Sequence, residues 1–223
     1  MKQIVFATNN AHKLEELRAI VGDCYNILSL SDIGVHEDIP EDAPTLEGNA
    51  RAKALWVTRR YGVTCFADDT GLEVDALDGA PGVYSARYAA APGTPGHDSR
   101  ANTALLLKNM QGVPSPERTA RFRTVIALVH PAARLVDGTW CCTEPRLFQG
   151  VVNGRILTAP DGDGGFGYDP VFRADGMDVS FARATPAQKN AVSHRGRATA
   201  ALLKYLLEEE EDDSASSAKN SPA

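Results

Sequence analysis

Two adjacent carboxylates, Asp68 and Asp69, are the residues of this chain best suited to do chemistry, in the run Asp68-Asp69-Thr70-Gly71. The apolar stretch 63–67 before them reads as a strand, so they stand at a strand's C-terminal end, where open α/β sheets place ligands. Neighbouring carboxylates repel unless a cation or a shared proton relieves them. An oxygen-only pair suits Mg²⁺, which takes one or two carboxylates together with substrate phosphates. The same four letters also make an ordinary turn. Glu47, in the first turn of the preceding helix pattern, can reach a cation shared with the aspartates, and Lys53 lies on the same helix. Gly48 costs that helix up to ~1 kcal/mol against alanine, and a close backbone approach would account for it.

Three further segments suit an anionic, flat ligand. Thr8-Asn9-Asn10-Ala11-His12-Lys13 reads as a polar turn opening a helix, which offers unpaired N–H groups and a positive dipole end. Lys13 in that first turn opposes the dipole unless an anion sits beside it; an Asn cap with a surface lysine reads equally well. Gly162-Asp163-Gly164-Gly165-Phe166-Gly167 matches a dinucleotide fingerprint by letter, but Tyr168-Asp169-Pro170 follows and no helix can start there. That loop instead offers Phe166 beside Asp169, a ring on which any base can stack for ~1–3 kcal/mol; simple hairpin structure is the plainer reading. Lys189, His194, Arg195 and Arg197 cluster around a helix start that Ser193 can cap, and call for an anion or a carbonyl-rich partner, or else form a solvated basic face.

The elements that must hold these residues follow from pattern. Residues 3–8 read as a buried strand, followed by a helix carrying Leu14, Leu17, Ile20 and Val21 and closed by Gly22. Residues 26–44 are polar and proline-punctuated, giving one short strand and loops. Thr45 caps a helix to about Tyr61, with Gly62 beyond it. Residues 72–75 alternate as a second, half-buried strand. After the loop 91–99, Asp98 or Ser99 caps a helix carrying Ala104, Leu105 and Leu107. Residues 121–130 and 135–143 read as a hairpin pair, and 151–156 as another that turns at Asn153-Gly154. Thr185-Pro186-Ala187-Gln188 is a capping box with proline at the first helical position. A last helix runs from about Arg197 to Glu209, with Ala198, Leu202, Tyr205 and Leu206 on one face. This order gives an α/β protein with a long mixed sheet and helices packed against it.

Composition sets bounds. The chain has 223 residues, 43% hydrophobic and 23% charged, which suits a single globular domain over residues 1–207. Residues 208–223 hold six of the 29 acidic residues and one of the 23 basic ones. The net charge of −6 is therefore a property of that acidic segment, whose composition suits a disordered tail, and the rest is nearly neutral. A near-neutral body argues against a nucleic-acid polymer as partner. No apolar run approaches the ~20 residues of a membrane span. Cys24, Cys65, Cys141 and Cys142 form no C-x-x-C motif, and the absence of an export signal favours free thiols in a cytoplasmic setting. No zinc spacing, P-loop, G-x-S-x-G or H-E-x-x-H occurs.

Together the stretches ATNNAHKLEEL, TLEGNARAKA, FADDTGLEVDALDGAPGVYSARYA, GGFGYDPVF and TPAQKNAVSHRGRA resemble, in order, the inosine/xanthosine triphosphate pyrophosphatase family. The resemblance implies an elongated α/β fold with a central long mixed sheet, a nucleotide cleft between two lobes, and a homodimer. It implies Mg²⁺-dependent hydrolysis of non-canonical purine nucleoside triphosphates (ITP, dITP, XTP) to the monophosphate and pyrophosphate. Asp69 matches the family's proton acceptor and Mg²⁺ contact, with Asp68 supporting the metal. Thr8, Asn9, Asn10, Ala11, His12 and Lys13 match phosphate-binding positions, Lys53 adds charge, and Thr70 matches a substrate contact. Phe166, Gly167, Tyr168 and Asp169 match the base-binding loop, and Lys189, His194 and Arg195 match further nucleotide contacts. Donors from His194 and Arg195 are expected to meet a 6-carbonyl. Many members carry an acid at the position of Gly48; here the acid is Glu47, turned by about 100° on the helix. Pyrophosphatases for other modified nucleotides, and a silent nucleotide-binding protein, are the alternative readings.

Overall fold

Three long strands carry the molecule. In a computed structural model that describes residues 2–90 and 98–219, β3 spans Cys65–Val74, β5 Thr119–Val129 and β8 Arg146–Ile156. They pair antiparallel side by side, and an eleven-residue strand reaches about 37 Å. Two short parallel strands, β1 (Gln3–Phe6) and β2 (Asn26–Leu28), extend the sheet beyond β3; β9 (Phe172–Ala174) closes the other side, and β4 (Pro81–Gly82) adds to the far end of β3. The strand order is β2-β1-β3-β5-β8-β9, a mixed sheet.

Alternation along these strands divides the core. On one face, Phe6, Phe66, Ile126 and Phe148 pack against α1 (Ala11–Val21) and the last helix, α5 (His194–Lys219). On the opposite face, Val5, Ala67, Val125 and Ala127 pack under α2 (Leu46–Tyr61) through Leu46, Ala50, Ala54 and Val57. A third cluster gathers the far halves of the strands with α3 (Ser99–Asn109) through Leu72, Phe122, Val152, Phe172 and Leu106. The long mixed sheet thus runs through all three clusters, with helices packed on it as expected. The described residues include no helix long and apolar enough to cross a membrane.

Several boundaries fall where the caps place them. Asn10 accepts from Lys13 N, Thr45 from Gly48 N and Asp98 from Ala101 N, while Thr185 and Gln188 close a reciprocal capping box at the start of α4 (Pro186–Val192). Gly22 and Gly62 end α1 and α2. Four expectations are corrected. Asp68-Asp69-Thr70-Gly71 is no turn: it runs through the middle of β3, because β5 pairs with every residue from Cys65 to Val74. Residues 121–130 and 135–143 are not one hairpin; β5 goes to β3 and β8, and the turn at 135–139 joins β6 (Pro131–Arg134) to β7 (Trp140–Cys142) in a separate two-stranded sheet. Asn153-Gly154 lies inside β8, where β5 and β9 pair with it from both sides and leave no room to reverse. On α3 the buried face is Asn102, Thr103 and Leu106, while Ala104 is exposed.

The last helix begins earlier and ends later than its apolar face suggests. Ser193 accepts from Gly196 N, which starts α5 at His194, and helix continues to Lys219 through residues rich in glutamate, alanine and serine that carry no glycine or proline. The loop residues 91–97 and the final residues 220–223 lie outside the described residues. The four cysteines are unpaired.

One contact positions the start of α5. Gly150 of β8 lies directly beneath it: a Cβ there would stand 2.0 Å from His194 O and 2.6 Å from Ala198 N. Gly150→Ala must therefore lift the turn that carries His194 and Arg195. Overpacking of this kind costs about 1–3 kcal/mol, and urea unfolding should show at least that loss.

Candidate active site

At the C-terminal end of β1 the sheet opens. β1 pairs with β3 only at Cys65 and Phe66, and β4 joins β3 only at Leu72 and Glu73, so residues 67–71 have β5 on one side and no strand on the other. The backbone groups facing that gap must find partners elsewhere. Asp68 O accepts from Lys53 Nζ at 2.7 Å, Thr70 N donates to Asp69 Oδ1 at 3.0 Å, and Leu72 N donates to Ser85 Oγ at 2.8 Å. A cavity of about 810 Å³ opens over this gap. The β1–α1 turn, the segment 38–41, α2, β3, the loop before Asp169, α4 and the start of α5 line it.

The two aspartates point to opposite faces of β3, which removes the close repulsion expected of them. Asp68 faces α1 and α5. Its Oδ1 receives Lys13 Nζ at 2.9 Å, its Oδ2 receives Thr70 Oγ1 at 3.3 Å, and Arg195 Nε stands 3.6 Å away. Burial pushes its carboxyl up, but Lys13, Arg195 and Lys53 outweigh burial and hold it well below the usual carboxylate range. Asp69 faces α2, where Asn49 Nδ2 donates to Oδ2 at 3.0 Å. Burial pushes its carboxyl up and prevails over Lys53, Asn49 and Lys13. Asp69 lines the cavity and Asp68 does not. One carboxylate is thus a fixed charge behind the wall, and the other, with raised proton affinity, faces the cavity.

The α1 end meets the cavity as a positive terminus. Its first turn contains no acid, Asn10 N donates to Thr8 Oγ1 at 3.2 Å, and Thr8, Asn9, Asn10, His12 and Lys13 all line the space. Ala11 opens the helix without lining it. Burial pulls the Lys13 ammonium down despite Asp68, with Lys53 and Arg195 adding to the effect. Lys53 reaches in from α2, bonded to Glu41 as well as Asp68 O; burial lowers its pKa, but Glu41, Asp69 and Asp68 prevail and raise it. Glu41 lines the cavity, and Asn49 Oδ1 anchors its loop by accepting from Ala43 N at 2.9 Å. Ala43 also explains Gly48, where a Cβ would stand 2.6 Å from Ala43 Cβ.

Glu47 is not brought to this site. Arg123 Nη1 donates to its Oε1 at 2.5 Å, and that hydrogen bond is the main reason its carboxyl is held low. It does not line the cavity. One residue of helical rotation sends it outward along β5, as the 100° step requires.

The opposite wall carries Phe166. Asp169 Oδ2 accepts from Phe166 N at 2.9 Å and from Lys189 Nζ at 2.8 Å, fixing the loop to α4. Burial pushes the Asp169 carboxyl up in spite of Lys189. Tyr168 donates to Ser85 O at 2.9 Å, and Thr103 donates to Gly167 O at 3.3 Å, so the segment after β4 and α3 both hold the loop. The His12 and Phe166 rings lie near parallel with centroids 6.3 Å apart, and Lys189 Nζ stands 4.9 Å from the Phe166 centroid. Arg195 gives Nη1 to Glu16, while its Nε and Nη2 are buried without a hydrogen-bond partner. Arg197 turns away to Val151 O. Thus Phe166, Gly167, Tyr168, Asp169, Lys189, His194 and Arg195 do converge with Thr8, Lys13, Lys53, Asp69 and Thr70 on one cavity.

Sequence reasoning missed Glu16, Glu41 and Asn49. Two had a signal: Asn49 precedes Lys53 by four residues and Glu16 follows Lys13 by three, so each shares a helix face with a residue already singled out. Glu41 lies in an irregular segment with no period to read.

The Ham1 family model matches residues 4–205, which takes in every one of these segments. The chain belongs to the Ham1 family. It is 48% identical over 207 residues, 93% of this chain and 98% of the relative, to a protein of Porphyromonas gingivalis named dITP/XTP pyrophosphatase. A relative of the same name from Chlorobaculum tepidum is 46% identical, covering 92% of each chain. Among solved structures, the Ham1 protein of Staphylococcus aureus superposes with a TM-score of 0.79 at 35% identity, covering 93% of this chain and all of that one. The curled mixed sheet with its helices is the Ham1 fold.

The ion pairs of Asp68 carry a testable consequence. In the unfolded chain its carboxyl takes up a proton near pH 4, whereas the folded protein keeps it charged well below that. Its stabilisation is therefore complete above about pH 4 and is lost as pH falls toward the folded value. Asp68→Asn strips Lys13 and Arg195 of their buried counter-charge and should cost about 3 kcal/mol near neutral pH. Urea unfolding at pH 7 and pH 3 should show the wild type losing more stability on acidification than the variant.

Proposed function

We propose that this cavity hydrolyses non-canonical purine nucleoside triphosphates of the dITP and XTP class between the α- and β-phosphates. The observation that carries the reading is Asp69, a buried carboxylate with raised proton affinity, facing a cavity with a cationic helix end on one side and an aromatic wall on the other. The curated relatives' shared name supports the substrate class. The phosphate chain lies along the α1 terminus, where Lys13 and the free N–H groups hold it and Lys53 adds charge. The base lies against Phe166, with Lys189 and Arg195 beside it. Asp69 takes the proton of the attacking water as oxygen bonds to the α-phosphorus, and the bond to the leaving pyrophosphate breaks.

Mg²⁺ fits the donor set in a limited way. No group of three His, Cys, Asp or Glu side chains suited to a metal occurs among the described residues. Asp69 and Glu41 are two oxygen donors on the cavity wall, which suits an ion that completes its shell with water and substrate phosphates. They are the residues that would hold it, in place of the Asp68 and Glu47 expected from sequence. When bound, Mg²⁺ neutralises charge on the phosphates. A homodimer in the cytoplasm belongs to the same reading.

Asp69→Asn should lower turnover of dITP by about 10²-fold or more and leave nucleotide binding intact, read by pyrophosphate release and by calorimetry; a variant with near-normal rates would refute the assignment. In the metal-free protein burial holds the Asp69 carboxyl above its ordinary value, so carboxylate ¹³C spectra should show it taking up a proton at higher pH than a free aspartate. Glu47→Gln should leave the Mg²⁺ concentration needed for half-maximal rate unchanged, whereas Glu41→Gln should raise it. EDTA should abolish release, and a panel with ITP, XTP, dUTP and ATP separates this substrate class from other pyrophosphatases.

A further inference from the structure

A chain of hydroxyls links Asp68 to the base end of the cavity. Thr70 Oγ1 donates to Asp68 Oδ2 at 3.3 Å, Thr70 and Thr124 hydroxyls lie 2.7 Å apart across the β3–β5 pair, and Thr124 Oγ1 lies 2.6 Å from His194 Nδ1. Thr124 and His194 are buried. Each threonine hydroxyl has one proton to give. An ionised carboxylate only accepts, and it accepts more strongly than a neutral oxygen. Asp68 therefore draws the Thr70 proton, Thr70 accepts from Thr124, and Thr124 is left to accept from His194 Nδ1–H. Burial, with Arg195 and Lys189 nearby, holds the imidazole neutral. In a neutral ring with a proton on Nδ1, Nε2 carries the lone pair. That nitrogen has no hydrogen-bond partner among the described residues, and the ring lines the cavity.

We propose that Thr124 is a positioning residue for specificity: it fixes His194 as a hydrogen-bond acceptor toward the cavity, beside Arg195, whose Nη2 has no hydrogen-bond partner. This rests on the purine reading above and reverses the expectation that His194 donates. A donor next to an acceptor complements the 6-carbonyl and N1–H of hypoxanthine or xanthine. Adenine presents the opposite pattern, an amino donor beside an N1 lone pair, and leaves buried groups unpaired on both sides. Guanine shares the 6-carbonyl and N1–H, so the relay discriminates against adenine and not against guanine. The same Asp68 that holds Lys13 at the phosphate end thus sets the polarity of the base end.

The test pairs a spectroscopic readout with kinetics. ¹⁵N-histidine spectra of the wild type, with His194→Gln to identify the resonances, should show Nδ1 protonated and Nε2 not; Thr124→Ser should keep that tautomer and Thr124→Val should shift it toward Nε2–H. In kcat/KM, the ITP-over-ATP ratio should fall about tenfold or more in Thr124→Val, while the ITP-over-GTP ratio holds and Thr124→Ser retains both. A wild-type His194 protonated on Nε2 would overturn the proposal, as would a folded Thr124→Val with an unchanged ITP-over-ATP ratio. If Thr124→Val does not fold, the wild-type tautomer decides alone. A wild type inert toward ITP would instead remove the functional reading, while the tautomer still reports on the relay.

Discussion

The period of two along β3 is the constraint on which the cleft depends. Adjacent side chains of a strand point to opposite faces, so Asp68 and Asp69, one residue apart, belong to different environments. Asp68 meets Lys13 and Arg195 in the layer of α1 and α5; Asp69 meets Asn49 in the layer of α2. Had these residues formed a turn, both carboxylates would share one pocket and compete for one cation. The strand instead separates a permanent charge from a titratable one, and a hydrolytic site can use both.

The gap in the sheet makes that arrangement reachable. β3 is paired throughout on its β5 side, but β1 stops after Phe6, and the chain turns into α1 at that point. Lys53, Ser85 and the Asp69 side chain take the backbone groups that a neighbouring strand would have taken. These side chains come from α2, from the turn after β4 and from β3 itself, so satisfying the backbone also ties α2 and that turn to β3. A helix N-terminus and a strand's open side then face the same space, which gives the cavity positive donors on one flank and carboxylates on the other.

Much of the site was legible because its residues sit in local motifs. The cap at Asn10, the capping box at Thr185 and Gln188 and the Phe166 loop each place their side chains within a few residues of a recognisable start or stop, and the structure keeps them there. What misled was pairing. Asn153-Gly154 has the letters of a hairpin turn, yet β5 and β9 hold it flat; Asp68-Asp69-Thr70-Gly71 has the letters of a loop, yet β5 extends it. Turn propensity is worth fractions of a kcal/mol per residue, and a full ladder of strand hydrogen bonds with buried faces overrides it.

The sequence by itself determined the capped starts of α1, α2, α3 and α4, the α/β class, the family and most of the polar residues that converge, since caps, periodicity and motif order are read from neighbours along the chain. Only the tertiary structure decided which carboxylate is buried with cations and which faces the cavity, that Glu41 rather than Glu47 reaches it, and that Thr124 stands between Asp68 and His194. Those outcomes depend on which strand lies beside which and on the rotation of each helix against the sheet. Both are set by packing between residues tens of positions apart, and no local pattern in the chain records that packing.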